Sequence, residues 1–329
     1  YNENNDILYV QLVGDWADIK SDIGGGANAP MDPMLGCVAG SDNYPDIAVG
    51  RFSASSASHV TTQVTKVIQY EKDPSGNWYG NAIGVASNQG PGDDGEYDNE
   101  QVQVIYDNKL DPFTYDNYSY AYDPNANSTM VAGYIENGAG VINYCGHGSM
   151  TSWGSSGFSN SNISQLTNEN MLPVIFSVAC VNGAFHSGEC FGEAWLKKTG
   201  GGAVMALMST INQPWNPPMR GQDYFNDILT GGYNYSSNPG NGINTSEGRT
   251  TIGAIVANGL TLMYTESGGT SDLQTVQTWT TFGDPSMQVR TKSPDPLTLS
   301  NTTLLTGSPY TTTVTSGGAA VEGAMVCLS

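Results

Sequence analysis

Two residues suited to nucleophilic chemistry stand at comparable places in the chain. Cys180 closes the run Leu172-Pro-Val-Ile-Phe-Ser-Val-Ala-Cys180, in which six of the first eight residues are apolar and three are β-branched. His147 lies in Cys145-Gly-His-Gly-Ser149, directly after the run Gly140-Val-Ile-Asn-Tyr144. Each run reads as a strand buried on both faces. The carboxyl ends of such strands are where open α/β sheets present ligands and chemistry. If the two strands are neighbours, an imidazole stands beside a thiol. A cysteine becomes a useful nucleophile when a nearby base or imidazolium holds it as thiolate. Glycines on both sides of His147 let backbone approach a substrate closely. The amides of Gly148 and Cys180 are candidate donors to an oxyanion. The plainer alternative is a buried structural cysteine and a histidine that only bonds backbone. His186 competes for the role of base, but it sits six positions past Cys180 and would have to fold back. His59 falls on a predicted helix with no thiol in view. An Asn182-Gly183 turn signal follows the thiol.

The elements that must position these residues alternate. Strands are predicted at Ile7–Val13, Asp46–Phe52, Ala82–Ala86 and Ala203–Met208, besides the two that carry His147 and Cys180. Helices are predicted from Ser56 or Ser58 through Tyr70, at about 99–110, at 130–137, at Phe191–Lys198 with a Gly200-Gly-Gly202 stop, at about 221–229 and at about 250–264. A Gly- and Asp-rich loop, Asn88–Asp98, opens from the Ala82–Ala86 strand, and a Pro-rich loop spans Asn212–Met219. Alternation of this kind implies an α/β fold, a mostly parallel sheet flanked by helices on both faces. The pattern changes near Asp284-Pro285, and Pro294 and Pro296 mark a linker. The expected division is a catalytic domain over residues 1–290, and over 291–329 the beginning of an all-β, immunoglobulin-like module. The latter is too short to close a sandwich of roughly 100 residues.

The chain has 329 residues and a net charge of −20, with 11 Lys and Arg against 31 Asp and Glu. Such a surface repels nucleic acid and anionic membranes and favours cationic peptides or a structural Ca²⁺ ion. No apolar run approaches the about 18 residues of a membrane span. Five cysteines (37, 145, 180, 190 and 327) make no CxxC pair, so there is no zinc signature. Sequons at Asn127, Asn162, Asn244 and Asn301 and a lysine-poor, Asn/Ser/Thr/Gly/Tyr-rich composition lean towards an extracellular protein.

Several stretches carry a resemblance. Asn143-Tyr-Cys-Gly-His-Gly-Ser-Met-Thr-Ser-Trp153 and Phe176-Ser-Val-Ala-Cys-Val-Asn-Gly-Ala-Phe185 resemble the histidine and cysteine motifs of the gingipain family of cysteine peptidases. The similarity continues through Cys190–Glu193, Ser209–Gln213, Met219–Asp223 and Thr281–Ser286, and so covers most of residues 7–290. It is stronger towards the arginine-specific branch. The resemblance implies a caspase-like α/β fold, a His147–Cys180 dyad and secretion by a Bacteroidetes-type bacterium. It also implies that Asp98 is the acid at the base of the S1 pocket, with Asp94 and Glu96 as nearby alternatives. Trp215 and Met219 match the side chains that line that pocket. The chemistry agrees, because a guanidinium needs a carboxylate for bidentate bonding and a flat apolar wall to stack on. Two departures stand out. Where the arginine-specific relatives support the histidine with an acid, this chain has Asn88 or Gln89. The family's upstream subdomain is not represented, since Tyr1 falls near the second half of the usual catalytic unit.

Two function classes follow. One is a secreted cysteine endopeptidase that cleaves after arginine, or lysine, needs no cofactor for its chemistry and acts on proteins or peptides. The other is an extracellular structural or adhesive protein that keeps the fold with little activity and works through self-association or cell-surface attachment.

Overall fold

Continuous apolar runs bounded by Gly, Pro and Asn build the centre of this molecule. The structure, a computed structural model, describes residues 7–72, 74–232, 250–303, 305–324 and 326. Asn244 and Cys327 lie outside the described residues. Eight strands form one sheet: β1 (Tyr9–Val13), β2 (Ala48–Phe52), β3 (Asn81–Ala86), β4 (Asn117–Tyr122), β5 (Val141–Cys145), β6 (Val174–Val178), β7 (Met205–Ser209) and β8 (Trp279–Phe282). Their order is β1-β2-β8-β7-β6-β5-β3-β4. Every pairing is parallel except β7 with β8.

The side-chain period of two makes both faces of the sheet apolar. Val141, Cys145, Val174, Phe176, Met205 and Leu207 point to one core, and Ile142, Tyr144, Ile175, Ala206 and Met208 to the other. The helices are α1 (Ala57–Lys72), α2 (Asp98–Ile105), α3 (Ser128–Glu136), α4 (Asn160–Ile163), α5 (Phe191–Lys197), α6 (Asn216–Thr230), α7 (Ile252–Ser267) and α8 (Thr270–Thr278). Residues of α2, α6, α7 and α8 join the first core, and residues of α3, α4 and α5 the second. The expected α/β architecture is therefore present, and β5 and β6 are neighbours, with Val178 opposite Cys145.

Four elements lay outside the sequence expectation, the short helix α4 among them. The edge strand β4 carries Tyr118, Tyr120 and Tyr122 on one side, a period-two pattern of aromatics. Helix α8 and strand β8 follow α7 where no further elements were expected. The Pro-rich segment also differs. Pro217 and Pro218 lie in the first turn of α6, where a missing N–H is tolerated, so the loop is short and Met219 sits on a helix.

Arg51 on β2 is fully buried. It bonds Asp32 at 2.5 and 2.9 Å and the Gly14 carbonyl at 2.8 Å, with its guanidinium over the Phe185 ring. The chain divides into two units, Tyr1–Lys292 and Ser293–Ser329. The second holds three short antiparallel strands, β9 (Leu297–Leu299), β10 (Val314–Ser316) and β11 (Ala319–Ala320).

Candidate active site

The nucleophile turn is fixed by backbone bonds. Strand β6 ends at Val178, and Cys180 follows two residues on. Val181 N–H donates to Ile211 O and Gly183 N–H to Ser209 O, each at 2.8 Å, tying the turn to the end of β7. Val181 has φ +47°, a left-handed conformation rare for a β-branched residue. Such strain persists only where the surroundings over-determine it. The Cys180 thiol is half-buried, and burial raises it above the ordinary thiol range. The Gln213 and Gly148 amides, which hydrogen-bond the sulfur, pull it back.

The histidine loop leaves β5 one strand over. His147 O accepts from Gly154 N at 2.7 Å and from Tyr144 Oη at 2.6 Å, which holds the loop's backbone. A tight hairpin pairs Gly148 with Trp153 and Ser149 with Ser152. A Cβ on Gly148 would stand 2.7 Å from Cys180 O and 2.9 Å from the Ala179 Cβ, so only glycine lets this hairpin lie against the nucleophile turn. The ring Nε2 of His147 lies 2.9 Å from Gln89 Oε1. The amide oxygen accepts, so Nε2 carries the proton and Nδ1 remains as the ring's free acceptor. Trp215 meets the ring edge-on, with centroids 5.8 Å apart.

Asp98 is the first residue of α2, where the helix dipole favours a carboxylate. It is 1% exposed. Ser87 Oγ donates to Oδ2, and Cys145 Sγ donates to Oδ1 at 3.4 Å. Burial raises the carboxyl above the usual carboxylate range, and the bonds from Ser87, Cys145 and Trp215 draw it down.

His147, Cys180, Asp98 and Trp215 all line one cavity of about 180 Å³, together with Cys145, Gly146, Val178, Ala179, Gln213 and Pro214. Of the two residues considered for histidine support, Gln89 makes the bond. Asn88 lines an adjoining cleft instead. Asp94 is exposed, and neither it nor Glu96 lines the cavity. His186 packs on Trp16 with ring centroids 6.3 Å apart, and half-buried His59 lies near Ser55; neither lines the cavity. Met219 is not a lining residue either. It is fully buried because α6 begins before it. A Cβ on Gly92 would stand 2.3 Å from its sulfur and 2.8 Å from Trp215 Cδ1. Met219 and Trp215 thus both pack against Gly92, and of the two only Trp215 lines the cavity.

Several contributors carried no sequence signal of their own. Ser87 is one of many serines. Gln213 lay within a quoted motif, but nothing marked its amide, whose Oε1 accepts from Ala179 N at 3.1 Å. Arg220 braces the loop that carries Gln89 and Asp98. It reaches Asp93 at 2.9 Å on that loop, Asp272 at 2.8 Å on α8 and Glu266 at 3.3 Å on α7. Among the described residues no group of three or more His, Cys, Asp or Glu forms a metal cluster, and no helix is long and apolar enough to cross a membrane.

Comparison with known proteins adds a second line. The sequence pattern of peptidase family C25 matches residues 1–290. Gingipain R2 of Porphyromonas gingivalis is 39% identical over 304 residues, which is 89% of this chain and 39% of that protein. Lys-gingipain HG66 of the same organism is 30% identical over 66% of this chain and 12% of its own length. This chain therefore spans two fifths or less of these relatives. A crystal structure of the Arg-specific cysteine proteinase gingipain R superposes with a TM-score of 0.82 at 38% identity, covering 91% of this chain and 68% of that one.

Proposed function

Because the chain belongs to peptidase family C25, we propose that it is a cysteine endopeptidase that cleaves peptide bonds after arginine. One observation carries this reading: a thiol, an imidazole and a buried carboxylate open into a single cavity beside an indole. Cys180 passes its proton to His147 Nδ1, and the thiolate attacks the carbonyl carbon of the P1 residue. The Gly148 and Cys180 amides receive the developing oxyanion. The imidazolium then protonates the leaving amine, and a water deprotonated by His147 hydrolyses the thioester. The P1 guanidinium bonds Asp98 and stacks on Trp215. Gln213 lines the cavity, and its Nε2 is buried with no partner among the described residues. The chemistry needs no cofactor, and a Ca²⁺ ion would act structurally. A protein that works on extracellular substrates also fits the acidic, sequon-bearing surface, and the three short antiparallel strands described in Ser293–Ser329 are in keeping with an immunoglobulin-like β module.

The test is turnover of matched fluorogenic peptides ending in arginine, lysine or citrulline, under reducing conditions with Ca²⁺. Arginyl turnover about 10²-fold or more above citrullyl is expected, since citrulline leaves the carboxylate unpaired. Folded protein without arginyl turnover, and with Cys180 no more reactive to an arginyl chloromethyl ketone than Cys190, sinks the proposal. That outcome favours the structural or adhesive reading.

Gln89 makes a separate expectation. An amide orients the ring but does not stabilise imidazolium as a carboxylate does. Gln89→Glu should raise kcat/KM by up to about tenfold and move the alkaline limb of the pH profile upward by about one unit. The measurement is kcat/KM for an arginyl peptide from about pH 5 to about pH 10, which spans the ordinary His and Cys values.

A further inference from the structure

The turn after the nucleophile contains a fully buried amide that the chemistry above does not use. Asn182 Nδ2 donates to Ser149 O at 2.5 Å and to Ser152 O at 3.1 Å, two carbonyls of the hairpin that follows His147. Its Oδ1 accepts from Ser177 Oγ on β6 at 3.2 Å, and that oxygen accepts from Trp153 Nε1 at 3.0 Å. The backbone carbonyl of Asn182 accepts from Gly192 N at 3.0 Å. Strand, nucleophile turn and histidine hairpin are thus joined through one side chain.

We propose that Asn182 is a positioning residue that sets where the His147 ring stands relative to Cys180. The inference rests on the reading that these two form the dyad. Asn182 lies two residues after Cys180, and Ser149 two residues after His147, so the 2.5 Å bond is a short bridge between the two halves of the site. The hairpin itself has only two-residue strands, and its register against the turn depends on contacts such as this. A carboxamide supplies two N–H donors and an acceptor, which the two carbonyls and one hydroxyl here require. A carboxylate supplies no donor and a hydroxyl only one. In a buried network, a missing partner is felt by every member. Val181 adds a reason for the bridge: its left-handed backbone stands between Cys180 and Asn182 and must be held from both sides.

The test uses Asn182→Ala and Asn182→Asp, each checked for folding by near-UV circular dichroism. Arginyl turnover should fall about 10- to 100-fold in kcat, the scale of a small misplacement of reacting groups. KM should stay within about twofold, because Asp98 and Trp215 sit on elements this amide does not touch. A second readout needs no hydrolysis: the pH dependence of Cys180 alkylation by iodoacetamide should move upward in both variants as the thiol loses imidazole assistance. In Asn182→Asp, acidification protonates the new carboxyl and restores one donor, so activity relative to wild type at the same pH should rise as pH falls. If Asn182→Ala does not fold, Ser177→Ala is read in its place, with a several-fold loss in kcat expected from freeing Oδ1. Folded variants, or Ser177→Ala, with wild-type kcat and an unchanged alkylation profile overturn the proposal. A folded wild type that neither hydrolyses the peptide nor alkylates selectively at Cys180 removes the dyad, and this inference with it, and is recognised before any variant is made.

Discussion

Cys180→Ala should lower kcat for an arginyl peptide by on the order of 10⁵- to 10⁶-fold, the scale found when a covalent nucleophile is removed, while the melting temperature changes little. The thiol is only half-buried and closes no packed core, so its loss leaves no large cavity. Its chemistry is set by opposing influences. Burial raises it, while the backbone amides of Gln213 and Gly148 favour the thiolate. The other described cysteines are poor competitors. Cys145 and Cys190 are fully buried and raised well above the thiol range by burial and by Asp98 or Glu193. Cys37 is pushed up to about 11 by burial, then by Asp46 and Asp42. A thiol raised in this way remains protonated at neutral pH and reacts only as pH climbs towards that value. Limited alkylation near pH 7 should therefore mark Cys180 first, and the Ala variant should lose that label with the activity. Mass spectrometry of labelled peptides checks the first outcome and stopped-flow turnover the second. An Ala variant that keeps more than about a thousandth of wild-type kcat would remove Cys180 from the mechanism.

Asp98→Asn should separate recognition from stability. For an arginyl peptide, kcat/KM should fall by about 10²- to 10³-fold, which corresponds to breaking a buried charge pair worth about 3–5 kcal/mol. The gap between arginyl and citrullyl substrates should nearly close. Stability should move the other way. The Asp98 carboxyl is raised in the folded chain, so between its unfolded and folded values the native state holds the extra proton, and stability falls as pH rises through that window. Above that window the wild type carries a buried, ionised group at a cost that the amide variant does not have. The variant should melt higher at pH 7, and the difference should shrink on acidification towards the raised carboxyl value. The bonds from Ser87 and Cys145 and the helix dipole offset part of the effect but not its sign. Calorimetry of both proteins at two pH values decides it, and a wild type that melts higher at both would refute it. An arginine bound against Asp98 supplies the charge that the empty pocket lacks, so substrate should stabilise the wild type more than the variant.

Much of this site was legible because its residues lie on elements with strong local signals. Strands β5 and β6 are continuous apolar runs, and a central strand buried on both faces leaves that mark in any sequence. The thiol and imidazole could then be placed at strand ends from type and position alone. Gln89 could not be separated from Asn88, because the choice depends on how the loop turns. The amide of Asp98 donates to Gln89 O at 2.8 Å, which fixes that turn, and no local propensity encodes it. Met219 was expected to face the pocket because the resemblance matches it to a pocket-lining side chain, on a segment read as a Pro-rich loop. Those prolines start a helix instead, and helix geometry aims its side chain inward. Asn182 was legible only as half of a turn signal. Its partners at Ser149 and Ser152 lie on a hairpin that reaches it through the neighbouring strand. Strand β8 is four residues with two threonines, and it pairs antiparallel with β7 but parallel with β2, so nothing in its flanks announces it.

Among the described residues, all three arginines have their guanidinium groups committed. Arg51 is enclosed by Asp32, Gly14 and Phe185, and Arg220 is held by three carboxylates. Arg290 donates to the Tyr70 carbonyl at 3.1 Å and the Glu71 carbonyl at 2.6 Å. Under the arginine specificity proposed above, a folded neighbour would offer none of these three to the pocket. An unfolded neighbour offers all of them. On that proposal intact copies would cleave collapsed ones and drain the unfolded population irreversibly. The lifetime of such a preparation is set less by its chemistry than by how often any one molecule opens, and it shortens as the concentration of intact enzyme grows.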